Sequence, residues 1–96
     1  MQVDNGPLIS GVGVSPGLTA SSVRVAWSTD LASEGQVEYG ATPAYGSLSP
    51  LDPQAAVRHE IQLTGLSPGT LYHYRVRSRD ANGAVANSSD QTFFTP

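Results

Sequence analysis

Residues 66–76 read Leu-Ser-Pro-Gly-Thr-Leu-Tyr-His-Tyr-Arg-Val, a tight turn that runs directly into a strictly alternating segment. Pro68 presets φ at the first corner and Gly69 accepts positive φ at the second, so Ser67, Pro68, Gly69 and Thr70 predict a type II turn. Beyond it, Tyr72, Tyr74 and Val76 point to one side and His73, Arg75, Arg77 and Arg79 to the other, because successive side chains of a strand alternate. A strand that is apolar and aromatic on one face and cationic on the other is half buried, as in an antiparallel sheet covering a core.

The rest of the chain is placed relative to this strand. Residues 1–6 are polar and turn-prone and are expected to form a disordered lead or linker, ahead of a domain over residues 7–96. A first strand is expected over residues 8–14. Its alternation slips between Ile9 and Val12, where Gly11 and Gly13 predict a bulge. Ser15, Pro16, Gly17 and Leu18 repeat the Pro-Gly turn chemistry. Residues 22–29 alternate cleanly, with Val23, Val25 and Trp27 inward and Arg24, Ala26 and Ser28 outward. A polar loop over 29–33 leads to a third strand over 34–40, with Val37 and Tyr39 inward and Gln36 and Glu38 outward. Residues 41–47 read as loop, followed by a short edge strand near 47–51. Asp52 and Pro53 suit the cap and first position of a single helical turn reaching Ala56. A fifth strand over 57–63 places Val57, His59, Ile61 and Leu63 on one face. Asn82-Gly83 is the strongest short hairpin signal in the chain. As the central pair of a two-residue turn it sets Ala81 opposite Ala84, Arg75 opposite Asp90 and Tyr72 opposite Phe93, with Phe94 outside the core. The last strand then runs from about Val85 to Thr95.

Seven short strands about ten residues apart, with turn residues between them, point to an all-β fold. The expected arrangement is a seven-stranded antiparallel β-sandwich, immunoglobulin-like, with an up-and-down barrel as the competitor. Ninety-six residues suit one domain with its own core. The absence of cysteine excludes a disulfide framework, a thiolate zinc site and a thiol nucleophile. A net charge of −3, with five arginines and no lysine, argues against a nucleic-acid binder, which needs a basic surface to neutralise phosphates. No stretch approaches the length of a membrane span, and residues 1–16 lack a charged leader followed by an apolar core. The chain is therefore expected to be monomeric and not membrane-inserted, with any export signal of a parent protein lying elsewhere.

Trp27-Ser28-Thr29-Asp30, Val37-Glu38-Tyr39-Gly40, Tyr45-Gly46, His59, residues 63–76 and Thr92-Phe93-Phe94-Thr95 together resemble a fibronectin type III domain. More narrowly, they are similar to the version that precedes the catalytic domain of purple acid phosphatases and recurs in bacterial secreted and cell-surface proteins. The resemblance spans residues 8–96. It implies one sheet built from the first, second and fifth strands and another from the third, fourth, sixth and seventh. It also implies that Tyr72 is a corner tyrosine whose hydroxyl bonds back to the backbone near Leu66. In the phosphatases this domain does not carry the metal site, and the catalytic metal-ligand motifs are absent from this sequence.

The polar residues give no catalytic constellation. His59 and His73 fall on opposite faces of different strands, whereas a metal site needs three or four converging ligands. His59, in phase with Ile61, is expected to cap one end of the core by hydrogen bonding. With no Ser-His-Asp arrangement and no Gly-rich phosphate loop, no catalytic, metal-binding or cofactor-binding residue is expected and no cofactor is called for. Asn87-Ser88-Ser89 matches a glycosylation acceptor, a tripeptide common enough to arise by chance. The candidate ligand or partner surface is Arg75, Arg77 and Arg79, spaced at i, i+2 and i+4, with Tyr45 in a loop and Phe94 on the outer face. Glu38, Glu34 and Asp90 on neighbouring strands are expected to pair with the arginine row.

The function these features suggest is a non-catalytic accessory module, a spacer or protein-interaction domain of a larger exported or cell-surface protein beside a hydrolase or adhesive domain. Its partners would be neighbouring domains of the parent chain, another protein or a polysaccharide. The alternative is a carbohydrate-binding module of a secreted glycoside- or phosphate-acting enzyme. That reading needs an exposed aromatic platform, for which only Tyr45 and Phe94 are candidates. Linker-like ends, Asn5-Gly6-Pro7 and Thr95-Pro96, suit a segment of an array.

Overall fold

The computed structural model describes residues 6–15 and 19–96. The lead expected over residues 1–5 and the Pro16-Gly17-Leu18 part of the early turn lie outside the described residues. Seven antiparallel strands follow one another: β1 (Ile9–Val14), β2 (Val23–Gly40), β3 (Ser47–Leu48), β4 (Asp52–Leu63), β5 (Leu71–Asp80), β6 (Val85–Asn87) and β7 (Gln91–Phe94).

β2 organises the fold. Its first part pairs with β1 and with β4, from Val23 opposite Leu63 to Ser28 opposite Arg58. Its second part pairs with β5, from Ser33 opposite Asp80 to Gly40 opposite His73, and with β3. β5 in turn carries β6 and β7. Hydrogen bonding is thus continuous through β2, while the strands divide into two layers. Val23, Val25, Trp27, Ile61 and Leu63 come from one layer and Val37, Tyr74, Val76 and Phe93 from the other, and they share one core with Leu66. The Trp27 indole spans the two layers, donating from Nε1 to Ser78 Oγ at 2.9 Å. This is the immunoglobulin-like sandwich, with the strand grouping that the resemblance implies.

The turn at Pro68-Gly69 forms as the sequence dictates, with Gly69 at φ +61°. The Tyr72 hydroxyl accepts a 2.8 Å hydrogen bond from the Ser67 amide, closing the tyrosine corner. Thr95, fully buried, ties the same turn to the end of the chain: its Oγ1 accepts from the Thr70 amide at 2.9 Å and donates to the Ser67 carbonyl at 2.7 Å. At β1 the register shifts between Ser10 and Gly13, the bulge that Gly11 and Gly13 predict.

Four expectations are corrected. Residues 29–33 are not a loop; the backbone stays extended through them. The hydroxyls of the buried Thr29 and Ser33 are satisfied internally, Thr29 Oγ1 donating to the Leu31 carbonyl at 2.8 Å and meeting Ser33 and His59, while Asp30, Leu31 and Ala32 between them are exposed. Residues 52–56 are strand rather than a helical turn. Asp52 does accept from the Gln54 amide at 3.1 Å, but Gly35 and Ser33 claim Asp52 and Ala56 as ladder partners. A lone helical turn fixes several dihedrals for one hydrogen bond and loses that competition. Val57 is 48% exposed, because it lies opposite the register irregularity between Ser28 and Ser33.

The fourth correction is the Asn82-Gly83 hairpin. Ala81, Asn82 and Gly83 form a three-residue loop: the Gly83 amide donates to the Asp80 carbonyl and the Asp80 amide to the Ala84 carbonyl, both at 3.0 Å. Asp80 Oδ1 accepts from the amides of Asn82 and Ala84, which favours this loop over a two-residue turn. Gly83 takes φ +84°. The register over β6 is therefore shifted by one, with Arg79 opposite Val85. A second irregularity cancels the shift. Val76 is bonded to Ser88, yet Tyr74 is opposite Gln91, so the returning chain carries one extra residue and splits into β6 and β7. Tyr72 consequently meets Phe93 as expected; Phe93 is 6% exposed and Phe94 61%.

Candidate functional site

Alternation along β5 presents Leu71, His73, Arg75, Arg77 and Arg79 on the outer face of its sheet. β2 sets Gly40, Glu38, Gln36 and Glu34 beside the last four. On the other side lie Phe94 and Thr92 of β7, then Asn87 and Val85 of β6.

The row of arginines is not uniform. Arg75 is engaged on every side. Its Nε donates to Glu38 Oε2 and its Nη2 reaches the same oxygen, both at 3.0 Å, while the guanidinium carbon lies 5.3 Å from the centroid of the Tyr45 ring. The Tyr45 hydroxyl donates to Asp90 Oδ1 at 3.0 Å, and Asp90 Oδ2 meets His73 Nδ1 at 2.8 Å. Glu38, Arg75, Tyr45, Asp90 and His73 thus form one chain of polar contacts. Partial burial, reinforced by the hydrogen bond to Asp90, pushes the Tyr45 hydroxyl above its ordinary pKa. The hydrogen bond from His73 holds the Asp90 carboxyl below the usual carboxylate range.

The loop that delivers Tyr45 is tightly built. Tyr45 itself sits at φ +64°, in the left-handed region that costs a non-glycine residue energy. Gly40 makes room for it, since a Cβ there would stand 1.7 Å from the Tyr45 carbonyl oxygen.

Arg77 and Arg79 differ. Among the described residues neither guanidinium has an ion-pair partner, so the expected lacing by Glu34 is not formed and Asp90 turns to His73 instead of Arg75. Arg77 is flanked across the ladder by two neutral amides, Gln36 and Asn87. Arg77, Arg79, Gln36, Glu34 and Leu51 line a cleft of about 170 Å³. Phe94 is elsewhere, paired across the ladder with the half-exposed Leu71. Among the described residues no ring contact joins it to Tyr45, and the two aromatics do not form a platform.

His59 belongs to the core, not to this face. It is 4% exposed, stacks on Trp27 with ring centroids 5.0 Å apart, and its Nε2 lies 3.1 Å from Thr29 Oγ1 and 3.3 Å from Ser33 Oγ. Burial lowers its pKa, opposed by Asp52 and by a hydrogen bond to the Ala56 backbone. Gly35 admits this stack, because a Cβ there would stand 2.9 Å from the Trp27 ring and 3.1 Å from His59 Nδ1. Among the described residues no three acidic or imidazole side chains gather as a metal site would require.

The Tyr45–Asp90–His73 contacts are the part of the site that sequence reasoning missed. Asp90 is drawn there by the extra residue that splits β6 from β7, and a purely alternating register aims it at Arg75.

Comparison with known proteins agrees with this architecture. Solved structures that share it include fibronectin type III domains. The sixth such domain of human fibronectin type III domain containing protein 3 is 26% identical, with a TM-score of 0.67, covering 99% of this chain and 91% of that one. The FN5 domain of Drosophila Lar is 25% identical, with a TM-score of 0.65 and 98% of each chain covered. The sensor domain of an anti-sigma factor in Pseudobacteroides cellulosolvens shares the fold at 17% identity, with a TM-score of 0.67 and 97% of each chain covered. No curated protein matches the sequence. Within this class the family is specific: residues 9–95 match the purple acid phosphatase N-terminal domain, and the chain belongs to that family.

Proposed function

We propose that the domain is a non-catalytic accessory module, a spacer and docking surface beside an enzymatic or adhesive domain of a larger exported or cell-surface protein. The observation that carries this reading is where the reactive side chains go. His59 is buried in the core stack with Trp27, and His73 Nδ1 is closed against Asp90. Membership in a family of N-terminal domains supports the accessory role.

The isolated chain is expected to hydrolyse neither phosphate monoesters nor glycosides, and to stay in solution when mixed with cellulose or chitin. Turnover that survives repurification would overturn the non-catalytic reading. Depletion by either polymer, reversed by Tyr45→Ala or Phe94→Ala, would establish the carbohydrate-binding alternative.

A further inference from the structure

The outer face of β5 holds three guanidinium groups in a row, and among the described residues only Arg75 has an ion-pair partner. Arg75 has Glu38 and the Tyr45 ring. Arg77 and Arg79 have no anionic partner among the described residues, and they line one cleft with Gln36, Glu34 and Leu51. Two positive charges against one carboxylate leave an excess of one positive charge in a domain whose net charge is −3.

Several contacts hold this cleft in shape. The Gln36 amide nitrogen donates to the Ser49 carbonyl at 3.1 Å, which fixes the side chain beside Arg77. Arg79 lies against the hairpin, its Nη2 3.5 Å from where a Cβ on Gly83 would stand. At the far edge Leu51 is 50% exposed, and Leu48 of β3, opposite Glu38, is 61% exposed.

We propose that this cleft is a docking site for an acidic segment of a protein partner. A carboxylate would be gripped by the Arg77 and Arg79 guanidiniums, and a neighbouring aliphatic side chain would lie on Leu51. The inference rests on the reading of the domain as an interaction module and names the chemistry of its partner. Guanidinium groups match carboxylates in planar, two-pronged geometry, and Arg77 offers its donors with no competitor across the ladder. The surroundings select the peptide over a polyanionic sugar. A sulfated or uronic polymer following the row would run from Arg77 into Arg75, where Glu38 and Asp90 already supply the negative charge. No aromatic ring lines the cleft for a sugar to stack on, whereas Leu51 gives an aliphatic side chain a surface.

The test is a titration of the isotope-labelled domain, followed through the arginine Nε–H and glutamine side-chain signals at about 0.15 M salt, where surface charges are screened beyond about 8 Å. The probes are a capped peptide of alternating glutamate and leucine, its glutamine counterpart, and heparin. Saturable shifts at Arg77, Arg79 and Gln36 with the acidic peptide alone are expected. Arg77→Gln should weaken binding about tenfold, the loss of a charge-assisted pair, with an unchanged denaturation midpoint. Leu51→Ser should weaken it by less. Absence of saturable shifts, an equal response to the glutamine peptide, or binding that survives Arg77→Gln would overturn the proposal. So would tighter, Arg77-dependent binding of heparin, which would make the cleft a polysaccharide site. None of these results touches the hydrolysis and polymer-depletion assays on which the module reading stands.

Discussion

On the inner face of β5, Tyr74, Val76 and Ser78 are no more than 2% exposed, and each meets a fixed partner: Tyr74 the Phe93 ring, Val76 the core cluster, Ser78 the Trp27 indole. On the outer face of the same strand, His73 and Arg75 are paired, while Arg77 and Arg79 have no partner among the described residues. The backbone is common to both faces, so the difference lies in what surrounds the side chains. Inside, close packing lets each side chain fit in one way, and removing atoms leaves a hole. Outside, water competes with every pairing, and a charge can remain solvated at little cost. The inner face accounts for stability and the outer face is free to carry recognition.

This contrast fails or sharpens in a graded series. The largest effect belongs to Trp27→Ala, which empties the centre of the core and strands the Ser78 hydroxyl; a loss of about 3–5 kcal/mol by chemical denaturation is expected. A loss below about 1 kcal/mol would show that the core repacks around the gap, against the close-packed picture.

Next comes the pH dependence of the same stack. His59 has its folded pKa lowered below the ordinary value of 6.5. Below pH 6.5 the unfolded chain binds a proton that the folded chain resists, so stability is full above that value and declines as pH falls through it towards the folded pKa. His59→Gln should flatten this part of the stability profile. An unchanged profile would place the imidazole in a wetter setting than the Trp27 stack.

Tyr72→Phe leaves the Ser67 amide without its acceptor at the half-buried corner and should cost about 1 kcal/mol. An unshifted denaturation midpoint would mean that water replaces the hydroxyl.

On the outer face the effects shrink. Arg75→Ala removes one ion pair, with Arg75 37% and Glu38 16% exposed, and should cost about 0.2–1 kcal/mol. Arg77→Ala is expected to move the midpoint within error, since the described structure gives its guanidinium no partner to lose. A clear loss on Arg77→Ala would erase the distinction within the row.

The sequence discloses the inner face better than the outer one. Strict alternation at Tyr72, Tyr74 and Val76, and at Val23, Val25 and Trp27, can be satisfied in only one way when one side must leave water. The core residues are legible for that reason. The hairpin was harder because two registers satisfy Asn82-Gly83 equally well. The choice fell to the Asp80 carboxylate, which gathers two amides in the longer loop. Phe93 still meets Tyr72, because the extra residue between Ser88 and Gln91 undoes the slip. The partners of Arg75 and Asp90 were not legible in full. They depend on that local irregularity and on a loop conformation at Tyr45 that no periodicity encodes. In the same way, the extended run through residues 29–33 is decided by hydroxyls meeting His59 across the sheet, which composition alone presents as a loop.

The passage of β2 from one layer to the other also bears on how the molecule comes apart. A sandwich whose layers share no strand can lose one sheet while the other persists. Here residues 23–28 and 33–40 are one extended segment, so fraying that begins at β4 reaches the partners of β5 through the backbone itself. Amide hydrogens in the two halves of β2 should therefore exchange through a single shared opening event, with the same free energy and the same response to denaturant.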